Sequence, residues 1–171
     1  MNRTTDRLTL YKHQLDSPNQ ATMDRDPITC HVLNTLTGTP AANLPVMLSL
    51  LASPSTGNDN NSDRTALLTY HATTDADGRV KNWTSTSSAS TPVTSVSDFL
   101  AALPAPDSST TWSVRFDVGP WYAVQGIESL WPEVEVKFVV KGRGRDGEGE
   151  WRHYHVPLLL GPWSYSTYRG S

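Results

Sequence analysis

The chain has 171 residues, 37 % of them hydrophobic, so it can bury the core of one domain with a short appendage. Its formal net charge of −3 argues against a nucleic-acid partner, and no apolar run approaches the roughly 20 residues of a membrane-spanning helix. The single cysteine, Cys30, excludes a disulfide within the chain, which suits a reducing compartment.

The first part of the chain is polar and weakly patterned, and we interpret residues 1–27 as an N-terminal extension. It lacks the apolar segment of a secretory signal. Within it, RLTLYKHQL at 7–15 is similar to a type 2 peroxisomal targeting signal, whose fixed positions are here Arg7, Leu8, Gln14 and Leu15. The motif predicts a peroxisomal import receptor as a partner and a peroxisomal location. Without a functional signal, we expect the protein in the cytoplasm.

From Ile28 onward, short alternating segments rich in β-branched residues are separated by Gly- and Pro-containing connectors, which is typical of β-strands. The segments are 28–36, 46–52, 65–74, 110–118, 132–141, 151–160 and 162–170. Strands of this length with almost no helical pattern favour an all-β sandwich of antiparallel sheets.

A Ser/Thr-rich insert at 84–110 interrupts this pattern. Its segment VSDFLAAL predicts a short helix. We expect the remainder of the insert to be disordered, because its composition offers little to a core.

Three features of the strands could carry chemistry. His31 lies on the face of its strand opposite Cys30, His153 and His155 share one face of another strand, and Arg79 follows the tight turn DADG. Each has an ordinary interpretation on its own: a strand histidine is commonly half-exposed, and an arginine after a turn is commonly solvated. Imidazole and guanidinium groups nevertheless suit proton transfer and anion binding.

Taken together, three segments resemble the transthyretin-related family, and within it the enzyme branch, the 5-hydroxyisourate hydrolases. The segments are ITCHVLNTLTGTPAANLPVML, TDADGRV and the ending HYHVPLLLGPWSYSTYRGS. The resemblance spans about residues 28–171, the predicted hydrolase domain. His31, Arg79 and His155 match the family's catalytic positions, and the YRGS ending is typical of the enzymes rather than the hormone carriers.

The resemblance implies a prealbumin-like sandwich of two four-stranded antiparallel sheets with one short helix. It implies a homotetramer, a dimer of dimers whose active sites open into a channel. The implied reaction is the hydrolysis of 5-hydroxyisourate, which needs neither a metal nor a redox cofactor. The histidines would activate water, and Arg79 would stabilise the developing oxyanion. The implied substrate-binding residues are Tyr168, Arg169, Gly170 and Ser171.

Two alternatives remain open. The first is a transthyretin-like protein that binds a small hydrophobic ligand without catalysis. The second is a metal-binding sandwich that uses His153, His155 and perhaps a third imidazole, His71.

Overall fold

The structure is a computed structural model, and it describes residues 25–52, 66–86, 94–103, 108–141 and 153–170. The strands are β1 (Ile28–Asn34), β2 (Thr39–Pro40), β3 (Pro45–Leu51), β4 (Ala66–Thr73), β5 (Arg79–Val80), β6 (Thr84–Ser85), β7 (Ser109–Phe116), β8 (Val134–Lys141), β9 (Tyr154–Leu160) and β10 (Tyr165–Thr167). The helices are α1 (Val96–Ala101) and α2 (Val118–Ala123). Neither of these helices is long and apolar enough to cross a membrane. The predicted targeting segment 7–15 and Ser171 lie outside the described residues.

The strands form two sheets. The first sheet has the order β10–β9–β1–β2, and β5 also pairs with β1; the second has the order β6–β4–β3–β7–β8. Neighbouring strands are antiparallel except β1 and β9, which run parallel. The two-sheet all-β sandwich predicted from the sequence is therefore confirmed.

The sheets differ from the expectation in detail. Each described sheet has five strands rather than four: the two-residue strands β2 and β5 add to three longer strands in the first sheet, and β6 adds to four in the second. Such short pairings have no alternation that a sequence pattern could reveal. Two short helices rather than one occur among the described residues, and the parallel β1–β9 pair replaces a purely antiparallel arrangement. All strands of the second sheet lie between β1 and β9 in the sequence, so no hairpin dictates the relative direction of these two strands.

The core lies between the inner faces of the sheets. Cys30 and Val32 of β1 and Leu158 of β9 point inward, where they are buried in the same apolar cluster as Trp112. Because side chains alternate along a strand, this inward set forces Thr29, His31 and His155 onto the outer face of the first sheet. The hydrophobic pattern thus determines which face carries the polar groups.

Part of the Ser/Thr-rich insert belongs to the fold. The hydroxyl of Ser95 accepts a hydrogen bond from the backbone N–H of Asp98 at 3.0 Å and so caps α1. Val96 and Leu100 of this helix are buried in the core. The predicted short helix is present. In the remainder of the insert, Thr84–Ser85 forms β6 against β4 and Ser95 caps the helix, so the expectation of disorder does not hold for these residues. Residues 87–93 and 104–107 are outside the described ranges.

Candidate active site on the outer face of the first sheet

A tight turn places Arg79 beside His31. The carboxylate of Asp75 accepts hydrogen bonds from the backbone N–H groups of Asp77, at 3.0 Å, and Arg79, at 2.8 Å. Gly78 has φ +71°, and a Cβ there would collide with a backbone carbonyl of β1, so only glycine suits this turn. The returning strand β5 then pairs Arg79 directly opposite His31. The motif DADGR therefore delivers a guanidinium to the edge of β1.

The parallel pairing of β1 with β9 brings His155 to the same face. In this register Thr29 lies opposite His155, and His31 lies opposite Pro157. The Thr29 Oγ1 is 2.8 Å from Nδ1 of His155 and 2.9 Å from Nε2 of His153. The two imidazole rings are stacked, with an interplanar angle of 22° and centroids 5.9 Å apart. One hydroxyl therefore joins both histidines of the HYH motif.

The C-terminal segment folds back onto His155. Strand β10 runs antiparallel to β9, and the backbone N–H of Gly170 donates to the carbonyl of His155 at 3.0 Å. A Cβ on Gly170 would lie 2.5 Å from Cδ2 of His155 and 3.1 Å from Cγ of Pro157. The Thr167 hydroxyl donates to the carbonyl of Pro157 at 2.8 Å. Gly170 of the YRG ending thus lies directly beside the predicted catalytic imidazole.

A small pocket of about 130 Å³ opens among these groups. It is lined by Arg25, Thr29, Cys30, Arg79, Val80, Lys81, His153 and His155. A larger cavity of about 540 Å³ lies between the β1–β2 turn and α2, and its lining residues include no ionisable side chain. Of these two cavities, the smaller is the one with groups for acid–base chemistry, because its lining carries two imidazoles and three cationic side chains.

The imidazoles are held in the neutral form. Burial lowers the pKa of His155 to about 4, and repulsion from His153 and His31 when they are protonated, and from Arg79 and Arg25, acts in the same direction. Burial and the Arg79 guanidinium also lower the pKa of His31, partly opposed by a hydrogen bond that its ring donates to the backbone of Asp77 and by the carboxylates of Asp75 and Asp77. Both rings therefore carry a free lone pair near neutral pH, which a general base requires.

The other titratable groups nearby behave differently. Burial and Arg25 lower the pKa of His153. Burial raises the pKa of the Cys30 thiol to about 12, so this buried group is not a nucleophile at neutral pH. The reactive groups of the pocket are thus imidazoles rather than the thiol.

The structure brings His31, Arg79 and His155 together at one end of the first sheet. Arg79 and His155 line the pocket, whereas His31 borders it through its pairing with Arg79. Tyr168 is 59 % exposed and, like Arg169, does not line the pocket within this single chain.

Sequence reasoning missed Thr29, which connects the two histidines. Its only sequence signal is its position two residues before His31, which places both on one face of β1. It also missed Arg25 and Lys81, whose place in the pocket depends on chain packing outside the motifs.

The three-histidine metal site is not assembled. His71 lies on β4 in the second sheet, while His153 and His155 belong to the first. Among the described residues, no cluster of three or more His, Cys, Asp or Glu side chains could hold a metal ion.

The fold and the site together define a transthyretin-like sandwich that carries two histidines and an arginine on an outer sheet face. The model of the HIUase/Transthyretin family matches residues 28–170, and the chain belongs to this family. It is 33 % identical over 146 residues to the probable 5-hydroxyisourate hydrolase of Schizosaccharomyces pombe, covering 84 % of this chain and 90 % of that protein. It is 32 % identical over 148 residues to the 5-hydroxyisourate hydrolase of Mus musculus, covering 86 % and 98 %.

The fold has relatives among solved structures as well. The crystal structure of transthyretin from Sparus aurata superimposes with a TM-score of 0.58 at 23 % identity, covering 85 % of this chain and 97 % of that one. This similarity supports the two-sheet architecture.

Proposed function

We propose that the chain catalyses the hydrolysis of 5-hydroxyisourate to 2-oxo-4-hydroxy-4-carboxy-5-ureidoimidazoline, a step of urate degradation. The observation that carries the proposal is the convergence of two neutral imidazoles and a guanidinium, from β1, β9 and β5, on one sheet face. Membership of the family and the names of relatives that match nearly their full length point to the same reaction.

The reaction needs a water made nucleophilic and a proton returned to the leaving nitrogen. The water oxygen forms a bond to the ring carbonyl carbon while an imidazole, His31 or His155, takes its proton. The carbon–nitrogen bond of the ring amide then breaks, and the nitrogen receives a proton from an imidazolium. The lowered pKa values of both histidines leave them unprotonated and ready for the first step.

Arg79 has the complementary role. Its side chain is exposed and stands beside His31, and its planar guanidinium offers several N–H donors to an anionic oxygen. Negative charge develops on the carbonyl oxygen as water adds, and a fixed cation at that position stabilises it more than the uncharged substrate. After burial, the same cation also lowers the pKa of both neighbouring imidazoles, so it contributes to both halves of the reaction.

We assign substrate contacts to Tyr168, Arg169, Gly170 and Ser171. The packing of Gly170 against His155 supports this assignment, because it brings the end of the chain to the reacting groups. An enzyme with one residue added after Ser171 should lose turnover. Full activity of that extended enzyme would remove the terminal residue from the site.

Substitution of His31, Arg79 and His155 to alanine tests the main assignment. Each variant should lose at least about 100-fold in kcat/KM, since acid–base groups and oxyanion stabilisers typically contribute that much. The assay is the ultraviolet decay of freshly prepared 5-hydroxyisourate, corrected for the uncatalysed rate. His71→Ala is the matched control, because this exposed histidine lies on the other sheet. Three variants with undiminished turnover would show that the site is assigned wrongly.

We also propose a homotetramer, a dimer of dimers. Leu33, Pro157 and Leu159 form an apolar row on the outer face of the first sheet, which a second copy would cover. Tyr168 and Val139 are 59 % and 54 % exposed in the single chain. Light scattering should give a mass about four times the 18.8 kDa of one chain. A mass equal to one chain would contradict the proposal.

A peroxisomal location is the remaining proposal. It rests on the spacing of Arg7, Leu8, Gln14 and Leu15, which as a helix would present Leu8, Tyr11 and Leu15 as one apolar stripe to an import receptor. Residues 1–20 fused to a fluorescent protein should direct it to peroxisomes. The fusion with Arg7→Ala and Leu8→Ala serves as the control, and a diffuse signal from the unaltered fusion would contradict import.

A further inference from the structure

The described site contains a hydroxyl and an imidazole that the hydrolysis outlined above does not use. Thr29 is 5 % exposed, and its Oγ1 lies between Nε2 of His153, at 2.9 Å, and Nδ1 of His155, at 2.8 Å. Among the described residues, these ring nitrogens are the hydrogen-bond partners of Oγ1. A buried hydroxyl held between two titratable rings can both select tautomers and transfer protons.

We propose that Thr29 and His153 are positioning residues that fix the tautomer of His155 and exchange its proton through a His153–Thr29–His155 relay. This inference rests on the proposed function, because it assigns the relay to the hydrolytic base.

The first argument is the number of protons on the hydroxyl. Oγ1 has one proton and can donate it to only one ring, so the other ring must donate to Oγ1. If Oγ1 donates to Nε2 of His153, then His155 carries its proton on Nδ1 and His153 carries its own on Nδ1. In that arrangement Nε2 of His155 has a free lone pair. The two rings are therefore coupled: both hold the proton on Nδ1, or both hold it on Nε2.

The second argument is the path that this coupling opens. When Nε2 of His155 takes a proton from water, its Nδ1 proton can pass to Oγ1 while the Oγ1 proton passes to Nε2 of His153. His155 is then neutral and carries a proton on Nε2, and the positive charge resides on His153. The reverse transfer through Thr29 regenerates the His155 imidazolium, which gives its Nε2 proton to the leaving nitrogen and so restores the initial state. No proton or charge is lost in the cycle.

The third argument is the asymmetry of charge around the two rings. A positive charge on the His155 ring is repelled by Arg79, His31 and Arg25 as well as by His153. A positive charge on the His153 ring is repelled by Arg25. Lys81 also lines the pocket, and the carboxylates of Asp75 and Asp77 act on His31 rather than on these rings. Moving the positive charge outward to His153 therefore reduces repulsion.

Thr29→Val tests the hydroxyl, because it replaces the hydroxyl by a methyl group of similar size. We expect kcat to fall about 10- to 100-fold, a share of what acid–base catalysis contributes, with KM changed less than twofold. Thr29→Ser restores the hydroxyl and should recover kcat to within about threefold of wild type. An unchanged kcat in Thr29→Val, or a loss confined to KM, would overturn the proposal. If Thr29→Val does not fold, His153→Gln decides the question on its own.

His153→Gln keeps a hydrogen-bonding group beside Oγ1 of Thr29 but replaces the imidazole, which can take up a proton, by an amide, which cannot. We expect a lower kcat and an acidic limb of kcat/KM that moves to higher pH, because the positive charge that opposes protonation of His155 is gone. An unchanged kcat and an unchanged limb would refute the relay. A purely structural role for His153 would not move the limb.

Nitrogen-15 NMR of the imidazoles gives a readout that does not depend on turnover. In the wild type we expect Nδ1 protonated in both His153 and His155, and in Thr29→Val this coupling should be lost. Mixed tautomers in the wild type, or no change in the variant, would contradict the proposal. If the wild type does not hydrolyse 5-hydroxyisourate, the proposed function fails, while the NMR result still reports whether the coupling exists.

Discussion

Gly170→Ala should damage catalysis while leaving the fold almost unchanged. The new Cβ would lie 2.5 Å from Cδ2 of His155 and 3.1 Å from Cγ of Pro157. Carbon atoms pack at about 3.5–4.0 Å, so the ring or the terminal segment must move by about 1 Å. A misplacement of about 1 Å at a reacting group can cost about 100-fold in rate. We therefore expect kcat/KM to fall about 100-fold in the ultraviolet assay.

The stability of this variant should barely change, because residues 163–169 are exposed and can shift with little loss of packing. Gly126→Ala is the matched control. It adds the same methyl group where nothing lies within 4 Å, but at φ +72°, so it should cost about 1 kcal/mol of stability and leave turnover intact. Thermal unfolding and kcat/KM together separate the two effects. Wild-type turnover in Gly170→Ala would refute a catalytic His155 held against the terminal segment.

Three further outcomes are expected. Gly78→Ala places an alanine at φ +71° and against a backbone carbonyl of β1, so the protein should lose about 2 kcal/mol of stability, seen as a fall of several degrees in Tm. Activity should also fall, because Arg79 is displaced. An unchanged Tm would contradict the strain at this position. Tyr122→Phe removes a buried hydroxyl whose single proton is shared between Asn34 Oδ1, at 3.1 Å, and the carbonyl of Leu160, at 3.2 Å. The free energy of unfolding in urea should fall by about 1–2 kcal/mol with kcat unchanged. The pKa of His155 is about 4 in the folded chain and about 6.5 when unfolded. Below pH 6.5 the unfolded state therefore binds more protons than the folded state, so the free energy of unfolding should fall as the pH decreases from 6.5 to 4. His155→Gln should reduce this pH dependence. An equal pH dependence in both proteins would contradict the lowered pKa of His155.

Much of the site could be predicted from the sequence because its parts are local motifs. ITCH places His31 opposite the inward Cys30, and DADGR combines a carboxylate, a glycine with positive φ and the arginine within one turn. Such short-range features depend on alternation and turn chemistry, which adjacent residues determine. His155 could be placed on the outer face of its strand for the same reason.

The role of the insert at 84–110 could not be predicted in the same way. Its Ser/Thr-rich composition predicted a short helix with disorder around it, but not that Val96 and Leu100 of this helix complete the core. Composition reports what a segment contributes on average, whereas burial depends on whether an apolar surface elsewhere in the chain needs covering. Only the packed structure supplies that surface.

The sequence by itself determined the alternating strands, the outward histidines and the arginine turn, since these follow from residues close together in the chain. The tertiary structure alone decided the parallel register of β1 and β9, which sets Thr29 opposite His155 across 126 positions. A shift of that register by one residue would turn one strand's polar face into the core. The register is fixed by packing the whole sandwich, and no local pattern encodes the hydroxyl that it places between His153 and His155.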